Sequence, residues 1–132
     1  PGNLAQAEVL FNEALALSLA EQNKEAEAKL LTKLIALKIE QNSATNLDTL
    51  YDRALAITTE LKDEMLQANV YSTKARQLMY NQKFNEAKHF YTLAGKVYLL
   101  FKNELIAAYY YNDLGYLEEA MGNHEKAAAW YL

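Results

Sequence analysis

Large side chains return at a fixed spacing along this chain. Phe11, Tyr51, Tyr91 and Tyr131 stand forty residues apart, and the first three are followed, three residues on, by Ala14, Ala54 and Ala94. Small residues recur in the same register at Ala28, Ala68 and Ala108, and again at Ala87 and Ala127. The segments "LALSLAEQNKEAEA", "LAITTELKDEMLQA" and "GKVYLLFKNELIAA" align without a gap and set Asn23, Asp63 and Asn103 at one equivalent position. Self-similarity held in one register along the chain marks a repeat architecture, so the fold is read unit by unit.

Each unit predicts two helices. Between Met65 and Tyr80, Val70, Leu78 and Met79 share the segment with Ala68 and Ala75, a mixture that lets two helices approach closely at the small residues. Turn chemistry interrupts the pattern at "QNSATN" (41–46), "KD" (62–63), "NQKFN" (81–85), "KN" (102–103) and "GN" (122–123). Thr45, Asn46, Asn85 and Asn123 are the expected N-caps, and Gly122 the expected C-terminal stop. The predicted helices span 4–21, 25–41, 46–61, 64–81, 85–101, 104–121 and 124–132. A two-helix unit cannot bury its apolar face alone, so neighbouring units must stack. The pattern therefore predicts one all-α repeat domain over 1–132, in units of roughly 1–27 (partial), 28–67, 68–107 and 108–132 (partial).

Composition agrees and narrows the function classes. Helix formers dominate, with one proline and four glycines in 132 residues. The net charge of −4, with acidic and basic residues interspersed, supplies no basic stripe for nucleic acid and no membrane-surface patch. No cysteine is present, which fits a reducing, cytoplasmic compartment, and no apolar run approaches the ~20 residues that cross a bilayer. The opening Pro1-Gly2 lacks a methionine, and the last unit stops about two turns into its second helix. Both features lead to the expectation of a fragment of a longer array, with Ala128, Trp130, Tyr131 and Leu132 left at an uncapped end open to self-association.

In "YYYNDLGYLEEAMGNHEKAAAWY", the spacing of Tyr111, Leu114, Gly115, Gly122, Ala127 and Tyr131 resembles the tetratricopeptide repeat signature. Tyr71, Ala75, Phe84, Ala87, Tyr91 and Ala94 keep it more loosely, and Leu31, Leu34, Ile35, Leu47, Tyr51 and Ala54 more loosely still. Two departures stand out. The usual unit has thirty-four residues and lies behind this one of forty, similar to the long-helix variants of the family, and the proline that commonly closes a unit is missing.

The resemblance implies a right-handed α-α superhelix of about seven antiparallel helices. It places Gly115 and Ala75 on first helices, and Ala87 and Ala127 on second helices, where the paired helices lie close. Tyr91 and Tyr131 would fill the space between units, with the hydroxyl reaching a partner at an edge. Because successive helical residues diverge by ~100°, Tyr109, Tyr110 and Tyr111 cannot share a face. Tyr111 is expected to pack, Tyr110 to flank it, and Tyr109 to point to the inner surface.

First helices of such repeats line a groove that binds an extended peptide or a partner helix. Motif matching puts Lys29, Thr32, Ala36 and Ile39 on that surface, then Asn69, Ser72, Arg76 and Tyr80, then Tyr109, Asn112, Asp113 and Tyr116. Asn69 and Asn112 suit main-chain amides, Arg76 suits a carboxylate, and the tyrosines supply rigid contact area. The expected function is a non-enzymatic scaffold for a protein or peptide ligand. The alternatives are a peptide-sensing domain controlling an attached effector, or an oligomerisation spacer. The lysine and asparagine clamp used for chaperone tails is absent, since its positions carry Thr32, Ala36, Thr73, Tyr109 and Asp113. His89 and His124 lie in different units without cysteine or matching carboxylates, so neither metal nor other cofactor is expected. No nucleophile elbow or phosphate loop is present.

Overall fold

A computed structural model describes residues 2–41 and 47–131, with Ala127 and Tyr131 as backbone only. It contains α1 (Gly2–Ala20), α2 (Lys24–Glu40), α3 (Asp48–Leu61), α4 (Glu64–Tyr80), α5 (Phe84–Leu100), α6 (Glu104–Ala120) and α7 (His124–Tyr131). No strand occurs among the described residues. The all-α expectation holds, and each predicted helix boundary lies within two residues of the observed one. Helices α2, α4 and α6 begin at Lys24, Glu64 and Glu104, in the forty-residue register of the sequence.

The turns are built alike. Gln22, Lys62, Gln82, Lys102 and Gly122 all adopt the left-handed conformation, with φ of 57°, 54°, 63°, 51° and 83°. Four of the five are not glycine, although a side chain there costs roughly 1–2 kcal/mol. The reversal satisfies helix-end carbonyls: the Asn23 N–H donates to Ser18 O at 2.8 Å and the Gln22 N–H to Leu19 O at 3.1 Å. Equivalent pairs run from Lys83 to Leu78 and Gln82 to Met79, and from Asn123 to Glu118 and Gly122 to Glu119. These are Schellman closures, which stop each helix in two residues. Gly122 is the expected stop.

The residue after each left-handed position is also the start of the next helix. Asn23 Oδ1 accepts from Ala26 N at 3.1 Å, Asp63 Oδ1 from Leu66 N at 3.0 Å, and Asn103 Oδ1 from Leu105 N and Ile106 N at 3.0 and 3.2 Å. One expected cap is corrected. Asn85 lies inside α5, whose N-cap is Lys83, a residue with no acceptor to offer. Asn123 sits at the expected place directly before α7, and its amide Nδ2 donates to Glu118 Oε2 at 2.9 Å. Thr45 and Asn46 lie outside the described residues.

Packing divides the chain into two compact units, Pro1–Thr73 and Lys74–Leu132, with the boundary inside α4. In the first unit α1 packs on α2 and α2 on α3. Its core joins Ala28, Leu31 and Ile35 of α2 with Tyr51, Ala54 and Ile57 of α3, Leu47 just before it, and Val70 of α4. Full burial of an aliphatic side chain such as Leu31 or Ile35 stabilises by about 1.5–3 kcal/mol. Polar ties link the same helices: Lys38 Nζ reaches Glu8 Oε1 at 3.0 Å, Arg53 pairs with the buried Glu27, and Gln67 Nε2 donates to Thr59 Oγ1 at 3.1 Å.

In the second unit α5 packs on α6 and α6 on α7. Ala87, Tyr91 and Ala94 of α5 and Leu114 and Leu117 of α6 are buried. Ala75 and Gly115 are buried as well, as expected of small residues at close approaches. Glu118 is buried too, held by Asn123 and by Lys88 Nζ at 3.4 Å.

The tyrosine triplet needs a correction. Tyr110, expected only to flank, is the most buried of the three at 9% exposure. Its ring lies against Gly95 and meets Tyr98 edge-on, with centroids 6.3 Å apart. Tyr111 is half-buried and stacks on Trp130, with centroids 5.7 Å apart and planes 17° from parallel. The reason is the missing side chain at Gly95, which opens a slot that draws Tyr110 inward. Tyr109 is exposed.

Candidate functional site

Within the second unit the expected groove residues separate into two groups. The first centres on Tyr91 of α5, which is 1% exposed. The Arg76 guanidinium, on the last turns of α4, lies within electrostatic reach of the Tyr91 hydroxyl. Asp113 of α6 lies within electrostatic reach of both. Burial pushes the Tyr91 phenol well above its ordinary range, and the Asp113 charge adds to the rise, so the hydroxyl stays protonated. Burial also raises Asp113, while the Arg76 cation pulls it back. Tyr80 completes the group with 61% of its surface exposed.

Arg76 is half-buried, and its cation faces the Tyr91 hydroxyl and the Asp113 carboxyl, which offsets its charge. A ligand main-chain carbonyl suits such a donor better than the carboxylate expected from the sequence, because a second anion would be repelled by Asp113.

The second group lies between α6 and α7. Tyr109 and Asn112 line a cavity of about 470 Å³ together with Tyr111, Glu104, two alanines and Trp130. Trp130, Tyr111 and Glu104 had no place in the expected groove. Trp130 was legible only as an apolar residue near an uncapped end, and its stack on Tyr111 required the observed pairing of α6 with α7. Tyr116 is exposed and lines neither group.

The remaining expected residues are placed singly. Asn69 is exposed on α4, whereas Ser72, in the first unit, is 8% exposed and so offers little to an open surface. In α2, Ile39 packs against the first unit's core, Thr32 Oγ1 donates to Ala28 O at 2.8 Å, Lys29 pairs with Glu25 at 2.9 Å, and Ala36 is half-buried. The polar surface expected of α2 is thus partly absorbed by packing.

Among the described residues no group of three histidine, aspartate or glutamate side chains is placed to hold a metal ion. His89 meets Phe90 edge-on at 5.4 Å, and His124 opens α7 on the surface. No described helix is long and apolar enough to cross a membrane. No protein-family model matches the chain, and no curated protein matches it at a significant level.

Proposed function

We propose that the chain is a non-enzymatic, cytoplasmic binding module of stacked helical hairpins, a tetratricopeptide-like superhelix that captures a peptide or partner helix on the surface of α4 and α6. The observation that carries this reading is the Arg76–Tyr91–Asp113 cluster. It links the end of α4, α5 and the middle of α6 electrostatically, and exposed Tyr80, Tyr109, Asn112 and Tyr116 lie on α4 and α6.

Recognition would proceed without covalent chemistry. Arg76 is half-buried beside Tyr91 and Asp113, so less side-chain entropy is lost when it donates to a ligand carbonyl than for a fully exposed arginine. Asn112 offers a paired donor and acceptor for a peptide unit, and the exposed tyrosines add rigid area at low entropic cost. Asn69 belongs to the first unit and is exposed there.

Selection from a displayed library of random dodecapeptides tests this reading. The wild-type protein is expected to enrich a sequence family that a variant carrying Asn69→Ala, Arg76→Ala and Asn112→Ala no longer retains, while circular dichroism shows both proteins folded. Equal retention by the two proteins would overturn it.

A further inference from the structure

We infer that the cavity between α6 and α7 is a subsite for an alkylammonium group, the chemistry of a lysine side chain. The inference deepens the peptide-binding reading and rests on it for its biological sense, but the pocket can be tested alone. Three observations point to a cation.

The lining comes first. Tyr109, Tyr111 and Trp130 supply aromatic surface, Asn112 a polar edge, and Glu104 a carboxylate, around about 470 Å³. That volume falls in the range of small-ligand sites, and aromatic faces beside an acid attract ammonium ions through the ring quadrupole. Charge is the second observation. Helix α6 carries Glu104, Asp113, Glu118 and Glu119 and no lysine or arginine. Asp113 faces Arg76 and Glu118 pairs with Lys88, whereas Glu104 has no ion-pair partner among the described residues.

The third observation is a precedent inside the same chain. Phe90 stands forty residues before Trp130, and the Lys74 ammonium lies 4.9 Å from the centre of its ring. The residue forty positions after Lys74 is Leu114, which is buried and carries no charge. The repeat therefore keeps the aromatic ring at position 130 and drops the cation that the preceding unit supplies. A ligand cation would restore that pairing, with Glu104 adding charge.

Trp130 is the sole tryptophan, so its fluorescence reports on the pocket directly. The probes are N-acetyl-lysine methylamide and its neutral isostere N-acetyl-norleucine methylamide. The lysine probe is expected to change the emission saturably and to bind at least tenfold more tightly than norleucine. Glu104→Gln and Tyr109→Ala, both at exposed positions, are expected to weaken it several-fold, and added salt to weaken it further. Norleucine binding as well as lysine, no saturable response to lysine, or an unchanged affinity in Glu104→Gln would each overturn the inference. A lysine response without any selected peptide would retire the peptide-binding reading and leave the pocket, and the reverse result would retire the pocket alone.

Discussion

The Tyr110 ring occupies the space where Gly95 would carry a side chain: a Cβ built there would come within 2.6 Å of Cε1, with Cζ and Oη nearer still. The pair locks α6 against α5, because the buried tyrosine has little room to swing aside. Gly95→Ala should therefore destabilise the protein even though alanine favours a helix by roughly 0.5–1 kcal/mol over glycine. Overpacking costs about 1–3 kcal/mol, which leaves a net loss of about 1 kcal/mol or more. Urea unfolding of Gly95→Ala, Tyr110→Leu and the double variant checks this, with strong coupling expected between the two sites. A more stable Gly95→Ala would show that Tyr110 moves freely.

The N-caps separate two asparagines that look alike in sequence. Asn103→Ala removes the acceptor for Leu105 N and Ile106 N and should cost about 1 kcal/mol. Asn85→Ala replaces an exposed residue inside α5 and should change stability by less than about 0.5 kcal/mol. Paired thermal melts give the comparison. Equal losses would contradict the assigned caps.

The left-handed turns offer a stabilising prediction. Lys62→Gly, Gln82→Gly and Lys102→Gly each relieve a side chain at positive φ and should raise stability by about 0.5–1 kcal/mol. Gly122→Ala, at φ 83°, should lower it by a similar amount. Denaturant midpoints would test the pattern, and a loss at all three glycine substitutions would contradict it.

Acid stability should depend on Glu118. The Asn123 amide holds this carboxyl below its ordinary value of 4.5, the Lys88 charge helps, and burial opposes both. A lowered folded pKa adds stability that is present above about pH 4.5 and is lost as pH falls through the lowered value. Glu118→Gln should therefore cost about 1–3 kcal/mol near neutral pH, and its stability should converge with the wild type in acid. Asp113 carries the opposite sign: its raised pKa makes the ionised form the less favourable one, and protonation on acidification relieves that. Urea midpoints between pH 2 and 8 for Glu118→Gln and Asp113→Asn would separate the two. A constant gap between Glu118→Gln and wild type across that range would contradict the assignment.

Much of the helical plan was legible because the repeat is dense in punctuation. Left-handed positions at 62, 82, 102 and 122 fall within the polar breaks, so these turns and helix ends could be read from residue type. The caps were harder, since the asparagines at 85 and 103 differ only in their register against the turn. The inward turn of Tyr110 could not be read from periodicity, because it depends on the slot left by Gly95 on another helix. Of the expected site positions on α4 and α6, Asn69, Tyr80, Tyr109, Asn112 and Tyr116 are exposed, whereas Ser72 is buried. The internal grouping of the site was not legible, because Arg76, Tyr91 and Asp113 come from three helices and Trp130 meets Tyr111 only through the pairing of α6 and α7.

The most direct measurement of the proposed role is a titration of the isotope-labelled protein with a peptide enriched by the display selection, followed by amide and side-chain NMR shifts. The binding reading predicts saturable shifts concentrated at Asn69, Arg76, Tyr80, Tyr109, Asn112 and Tyr116, with the Arg76 guanidinium protons among the largest. Shifts confined to α1 and α3, with α4 and α6 silent, would contradict it.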